Sequence, residues 1–127
     1  MSALPHPIVG AWVVEATGAP FAYHGMLFHA DGTMLQSNPD AGHADSSDSA
    51  GVGVWRADGS VVRGRFAEFL ADRKTHLLLG RRDVTFVLTV DLDGFSGTCR
   101  THYVDPKDST QSEAIEDGTM TGLRLRV

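Results

Sequence analysis

The sequence predicts an all-β protein: a single antiparallel, up-and-down, eight-stranded β-barrel. Three observations carry this. Val, Ile, Thr and aromatic residues recur in strand-length runs separated by Gly, Asp, Asn and Ser. No segment shows the period of an amphipathic helix. The links between runs are too short for helical crossovers, so neighbouring strands must be antiparallel, and a meander of that many strands removes its exposed edges by closing.

The elements follow in order as strands at 8–16, 21–30, 33–38, 51–57, 60–71, 75–91, 94–104 and 117–127. The fifth contains Phe66-Ala67-Glu68-Phe69-Leu70-Ala71-Asp72, a good local helix sequence, but it continues Val61-Val62-Arg63 without a break and reads as one long strand. Strands two and three meet at Asp31-Gly32, four and five at Asp58-Gly59, and six and seven at Asp93-Gly94. Asp-Gly accepts the positive φ angles of tight hairpin turns. In an up-and-down barrel these three turns share one end. The links 17–20, 39–50, 72–74 and 105–116 share the other, so the long polar links 39–50 and 105–116 should form a flexible lid and a facing lip over the mouth.

Composition sets the outer limits. The chain has 127 residues, 42% hydrophobic and 21% charged, which fits one globular domain. Eleven basic residues against sixteen acidic ones give a net charge of −5 and argue against a nucleic-acid partner. No apolar run approaches the ~20 residues of a membrane helix, and Met1-Ser2-Ala3-Leu4-Pro5-His6-Pro7 lacks a signal-peptide pattern, so no membrane association and a cytoplasmic location are expected. One cysteine, Cys99, excludes an internal disulfide and reads as a small buried residue. There is no Gly-x-Ser-x-Gly, phosphate loop or dinucleotide fingerprint, and no cofactor is expected.

Gly10-Ala11-Trp12 opens the first strand, and the last ends Gly122-Leu123-Arg124-Leu125-Arg126-Val127. In these residues the chain resembles the calycin superfamily, and within it a bacterial intracellular lipocalin-like protein. The resemblance implies that Trp12 packs against Arg124 or Arg126 at the closed base. It departs from secreted lipocalins in its short length and lack of disulfides, and from fatty-acid-binding proteins in lacking their helical lid. The broad group holds both ligand carriers and isomerases or cyclases of secondary metabolism.

Alternation along the strands assigns faces. Val84, Phe86, Leu88 and Val90 share an inward face that extends to Arg82, Leu78 and His76, unless a bulge at Gly80 flips the last two. Val62, Gly64, Phe66, Glu68 and Leu70 share another, with Arg63 and Arg65 in water. In 21–30 either Ala22, His24, Met26 and Phe28 or Tyr23, Gly25, Leu27 and His29 face inward; the first set is more apolar. In 94–104, Cys99, Thr101 and Tyr103 oppose Arg100 and His102. Glu68, His24 and His76 are therefore the candidate acid–base residues near the mouth, with Tyr103, Arg82, Phe66, Phe86, Trp55 and Met26 as candidate ligand contacts. Glu68 paired with Arg82 as a structural ion pair is the competing reading. A zinc site of His24, His76 and Glu68 has no diagnostic spacing, and no metal is expected.

Three functions remain open. One is a cofactor-independent isomerase, cyclase or lyase acting on a small, largely apolar natural product. The second is a carrier of a small hydrophobic ligand, and the third a filled barrel that serves as a structural or interaction protein. Both faces of 21–30 carry apolar side chains, which makes a homodimer the expected cover for the outer one.

Overall fold

The computed structural model describes residues 4–18, 21–39, 44–104 and 111–127, the side chains of 111–115 excepted. Nine strands form one sheet: β1 (Gly10–Ala16), β2 (Tyr23–Phe28), β3 (Thr33–Gln36), β4 (Ser46–Asp48), β5 (Gly51–Asp58), β6 (Val61–Asp72), β7 (Leu78–Val90), β8 (Gly94–Val104) and β9 (Gln111–Arg124). All pairings are antiparallel. The order β4-β6-β5-β3-β2-β1-β9-β8-β7, with a further β6–β7 pairing, closes eight strands into an up-and-down barrel and leaves β4 as an addition. Among the described residues no helix is long and apolar enough to cross a membrane.

The fourth strand corrects the expected lid. β6 continues past Ala67, its last residue with a partner on β5, and the backbone groups beyond it need partners. Ser46, Ser47 and Asp48 supply them, opposite Asp72, Ala71 and Leu70. Ser49 bridges the break between β4 and β5: its N–H donates to the Phe69 carbonyl, and its hydroxyl accepts the Phe69 N–H at 2.9 Å. Residues 46–48 are thus barrel wall rather than lid. Residues 40–43 and 105–110, the remainder of the expected lid and the start of the expected lip, lie outside the described residues.

Two of the Asp-Gly turns carry the positive φ expected of them, 91° at Gly32 and 60° at Gly59. The third works differently. The Asp91 carboxylate accepts the N–H groups of Asp93 and Gly94 at 2.9 and 2.8 Å, a side-chain turn that needs no left-handed residue.

The closed base is built around Trp12, which is 2% exposed. Its indole N–H donates to the Ile8 carbonyl at 2.8 Å, and the Arg124 guanidinium stands 4.4 Å from its ring centroid. Arg124 also donates to the carbonyls of Leu92 at 2.7 Å, of Val9 at 3.0 Å, and of Pro7. One planar fork therefore ties the N-terminal segment, β1 and the β7–β8 turn to the end of β9. Gly10 is required there twice over. Its φ of 134° disfavours any side chain, and a Cβ would stand 2.9 Å from Nη1 of Arg124. Arg126 takes no part and pairs with Asp93.

Above this base the lower half is filled by Phe28, Met34, Val62, Phe86, Leu88 and Phe95 around Trp12. Gly64 faces inward and its missing side chain is replaced by the Phe86 ring, which a Cβ would meet. Trp55 belongs to this layer. Its indole N–H donates to the His29 carbonyl at 2.9 Å, and its ring meets Phe28 edge-on at 6.3 Å.

Truncating Trp12 to Ala should therefore cost about 3–5 kcal/mol, the range for large aromatic residues in cores. Arg124→Lys should lose part of that, since an ammonium cannot reach three carbonyls from a planar fork. Urea unfolding of both variants checks this, and a Trp12→Ala loss below about 1 kcal/mol would show that the base is not a structural anchor.

Candidate functional site

The upper half of the barrel is not filled. A cavity of about 250 Å³ opens there. Its apolar part is formed by Phe21, Phe66, Val84 and Met120, and its polar part by His24, Gln36, Asn38, Glu68, Arg82 and Tyr103. Register explains the sharp change. Phe66 faces Val84 and, two residues on, Glu68 faces Arg82, so one step along the pleat turns an apolar layer into a charged one.

Glu68 is 3% exposed. Arg82 reaches it with Nη1 at 3.4 Å from Oε2, and the same nitrogen stands 3.5 Å from Oδ2 of Asp48 on β4. One guanidinium thus serves two carboxylates at long range, and it lies 5.9 Å from the centroid of the Tyr103 ring at the rim. Desolvation is the largest influence on Glu68 and raises its pKa above the ordinary 4.5; the Asp48 charge adds to it. A hydrogen bond with Asn38 and the charge of Arg82 act in the opposite direction and only partly offset it.

A second chain of polar contacts enters from β2 and β3. The Asn38 amide donates to the Ser49 carbonyl at 2.9 Å, which leaves its Oδ1 to accept from Gln36 Nε2 at 2.9 Å. The same Gln36 nitrogen lies 2.8 Å from Nδ1 of His24, so Nδ1 is the acceptor there. Nε2 of His24 then carries the proton and donates to the Phe21 carbonyl at 3.2 Å; the Ser37 carbonyl stands 3.3 Å from Nδ1. Gln36 is 3% exposed, and its Oε1 has no donor among the described residues.

Of the candidate acid–base residues, Glu68 and His24 meet at this cavity and His76 does not. His76 is exposed at the β6–β7 turn with φ 63°, its N–H bound to the Asp72 carbonyl. The physical cause is a bulge: Leu70 faces Gly80 but Ala71 faces Leu78, so Leu79 is extra and the inward parity of β7 ends at Arg82. Leu78 is also exposed. Without His76 the His24/Glu68 pair lacks a third metal donor, and among the described residues no group of three or more His, Cys, Asp or Glu could hold a metal ion.

Of the candidate ligand contacts, Phe66, Arg82 and Tyr103 line the cavity. Phe86, Met26 and Trp55 do not: Phe86 and Met26, each 2% exposed, are core residues, and Trp55 packs against that core. They share the inward face but sit a layer too low. Sequence reasoning missed Gln36, Asn38 and Asp48. The alternation of β3 held the signal for the first, since Gln36 has the parity of the inward Met34. Asp48 carried none, because Ser46-Ser47-Asp48 is not strand-like in composition.

The comparisons with known proteins found nothing: no family model, curated protein or solved structure matches this chain.

The raised pKa of Glu68 has a sign that can be measured. Its neutral form suits the fold better than its charged form, so the stability it contributes is greatest below pH 4.5 and declines as pH rises through its folded-state value. Glu68→Gln keeps the volume and removes the titration. The stability of the wild type relative to the variant should fall as pH rises from 4 toward 7, in thermal melts taken across that range. A difference that grows with pH would mean that the pairing with Arg82 dominates desolvation.

Proposed function

We propose that the protein is a calycin-like binder of a small molecule, held in the upper half of its barrel. The single observation that carries this reading is the cavity left open above a filled base, with both apolar and polar side chains in its lining. Ligand sites have this character: mostly apolar walls with a few placed polar groups that orient the guest. At about 250 Å³ the space suits a molecule at or below the small end of the usual range. The Gly10-Ala11-Trp12 opening, with Arg124 stacked on the indole, supports the calycin assignment.

A second reading, an acid–base isomerase, cyclase or lyase, is favoured by Glu68. Desolvation lifts the proton affinity of this carboxyl, and it stands beside the cavity where a guest would lie. The chemistry of that reading uses residues of the chain and calls for no cofactor. It is distinguished by a guest that is chemically changed, and by Glu68→Gln removing turnover while leaving the guest bound.

A fragment titration followed by backbone and methyl NMR tests the binding reading. Shifts should cluster at Phe66, Val84, Thr101 and Met120 and leave the base around Phe95 unmoved. Thr101 lines the cavity from β8, so Thr101→Phe should fill it and abolish those shifts in a protein that still folds. Fragments that perturb only the outer wall, or that bind the filled variant equally, would overturn the proposal.

We also infer that a second copy of the chain covers the outer face. Ala11, Leu27, Leu35 and Val52 stand in direct register across β1, β2, β3 and β5. Leu27, Leu35 and Val52 are 38%, 44% and 52% exposed. A straight apolar row is its own complement under a twofold axis. Light scattering should give a dimer mass for the wild type and a monomer mass for Leu35→Lys; a monomeric wild type at high concentration would contradict the inference.

A further inference from the structure

The outer wall of β5 and β6 carries charge that the fold does not use. Arg56 and Arg63 are direct antiparallel partners, both exposed, and Arg65 stands one pleat further along the same outward face. Like charges directly opposite one another in a sheet are destabilising. Nothing offsets the repulsion here. Among the described residues neither the Arg56 nor the Arg63 guanidinium has a hydrogen bond or an ion pair, and Asp58, two residues past Arg56, pairs with neither. Arg65 is held only loosely. The carboxylate it faces, Asp83, is 1% exposed and already accepts Arg81 on both oxygens, at 2.8 and 3.0 Å; Arg65 stands off at 3.6 Å, its side chain 56% exposed. The whole chain carries −5, so this positive face stands against the overall charge.

The spacing defines what the three arginines can hold. Directly paired residues have Cβ atoms about 5 Å apart and diagonal ones about 7–8 Å, so three long arms rise from one small triangle and can close over a single group. A carboxylate offers a pair of oxygens and a single charge. A phosphate monoester offers three oxygens and a charge of about −1.5 to −2, which matches three planar forks.

The arginines stand on a convex wall, which does not enclose a small molecule as a ligand pocket does, so the phosphate arrives on a larger body. Thr85 and Val87 on β7, the partners of Arg65 and Arg63, begin an open trough of about 390 Å³ that continues to Thr98 and Arg100 on β8. Asp117 also lines it and is paired with Arg100 at 2.8 Å. A nucleic acid or an anionic membrane brings many charges at once and is repelled by a chain of net charge −5. One phosphoryl group on an otherwise neutral segment is not.

We propose that the outward face of β5 and β6 docks a phosphorylated segment of a partner protein. Arg56, Arg63 and Arg65 hold the phosphoryl group, and the flanking residues lie along the trough over β7 and β8. Clusters of arginine are a recurring solution to phosphopeptide recognition. The site is on the outside of the wall and is independent of the cavity within.

The probe is the peptide acetyl-Ala-Leu-phosphoserine-Leu-Ala-amide, titrated into the intact chain by NMR at pH 7 beside its serine and glutamate counterparts and phenyl phosphate. The phosphopeptide should shift the amides around Arg56, Arg63 and Arg65 and leave Thr101 and Met120 in the cavity unmoved. It should bind about tenfold or more tightly than the glutamate peptide, and the serine peptide should not bind. Phenyl phosphate should shift the same residues with lower affinity. Arg63→Gln should cost the phosphopeptide about tenfold or more. Its melting temperature should equal or exceed that of the wild type, because one member of a repelling pair is gone. Lys74→Gln removes the same charge at the exposed β6–β7 turn and should leave the affinity unchanged. A glutamate peptide that binds as tightly overturns phosphate recognition, and phenyl phosphate that binds as tightly overturns the polypeptide partner. Equal losses in Arg63→Gln and Lys74→Gln, shifts confined to other faces, or no binding of the phosphopeptide overturn the site itself.

Discussion

Arg124 over Trp12 is the contact on which the rest of the barrel is set. The guanidinium stacked on the ring collects three carbonyls from two separate stretches of chain, Pro7–Val9 and Leu92. Fixing Trp12 inward fixes more than the base. Directly paired residues in a sheet point to the same side, and Trp12 pairs with Met26, Met26 with Gln36, and Gln36 with Gly51. The strands of a small barrel are tilted, so a row of direct partners climbs as it goes round. This row starts at the sealed base and ends in the cavity wall. The inward position of Gln36, and through it the hold on His24, is thus a consequence of where the indole sits.

The same packing accounts for a barrel that is half full. Aromatic rings in the lower half overlap the places where glycines omit a side chain: Phe86 over Gly64, Phe95 over Gly122. Each ring occupies two positions' worth of space, and the layer is dense. Higher up, the inward positions pass to shorter or polar residues, Thr101, Cys99, Gln36 and Asn38, which do not span the lumen. Space remains because the side chains that reach inward there are too small, or too well tethered to the wall, to meet in the middle. Cys99 fits this picture as a wall residue whose thiol is held protonated by burial and by the nearby Glu116 and Asp117.

Most of the architecture is legible in the chain because period-two alternation is strong wherever both neighbours of a strand are also strands. The inward sets of β6 and β7 follow from it, and the face of Glu68 with them; for β2 and β8 it yields two faces each and leaves the choice between them to their composition. What alternation cannot carry is a change of phase. Gly80 marks where a bulge could reset the phase, but Leu77-Leu78-Leu79 does not say whether it does or which residue is left out of register; the extra residue at Leu79 turns Leu78 outward, and His76 lies in the exposed turn before the strand. Nor can it rank height. Phe86, Trp55 and Met26 have the correct face, but height depends on tilt and shear, which no single strand encodes. Ser46–Asp48 was invisible for a third reason. Its strand conformation comes from the unpaired end of β6, a demand set by a distant segment rather than by local preference.

The electrostatics of the upper wall are poorly suited to stability alone. A buried ion pair of good geometry roughly breaks even against an apolar replacement. Here the geometry is long, 3.4 and 3.5 Å, one cation faces two anions, and desolvation prevails at Glu68. An apolar pair at 68 and 82 would continue the Phe66–Val84 layer and seal the barrel to its mouth. The chain instead places charge at the first inward step above that layer, sets Asn38, just past β3, and the carboxylate of Asp48 on β4 around it, and leaves Gln36 Oε1 with no donor among the described residues. Polar groups arranged at this cost around an open space are the reason the space is proposed, rather than shown, to be a ligand site: stability alone would be served better by filling it.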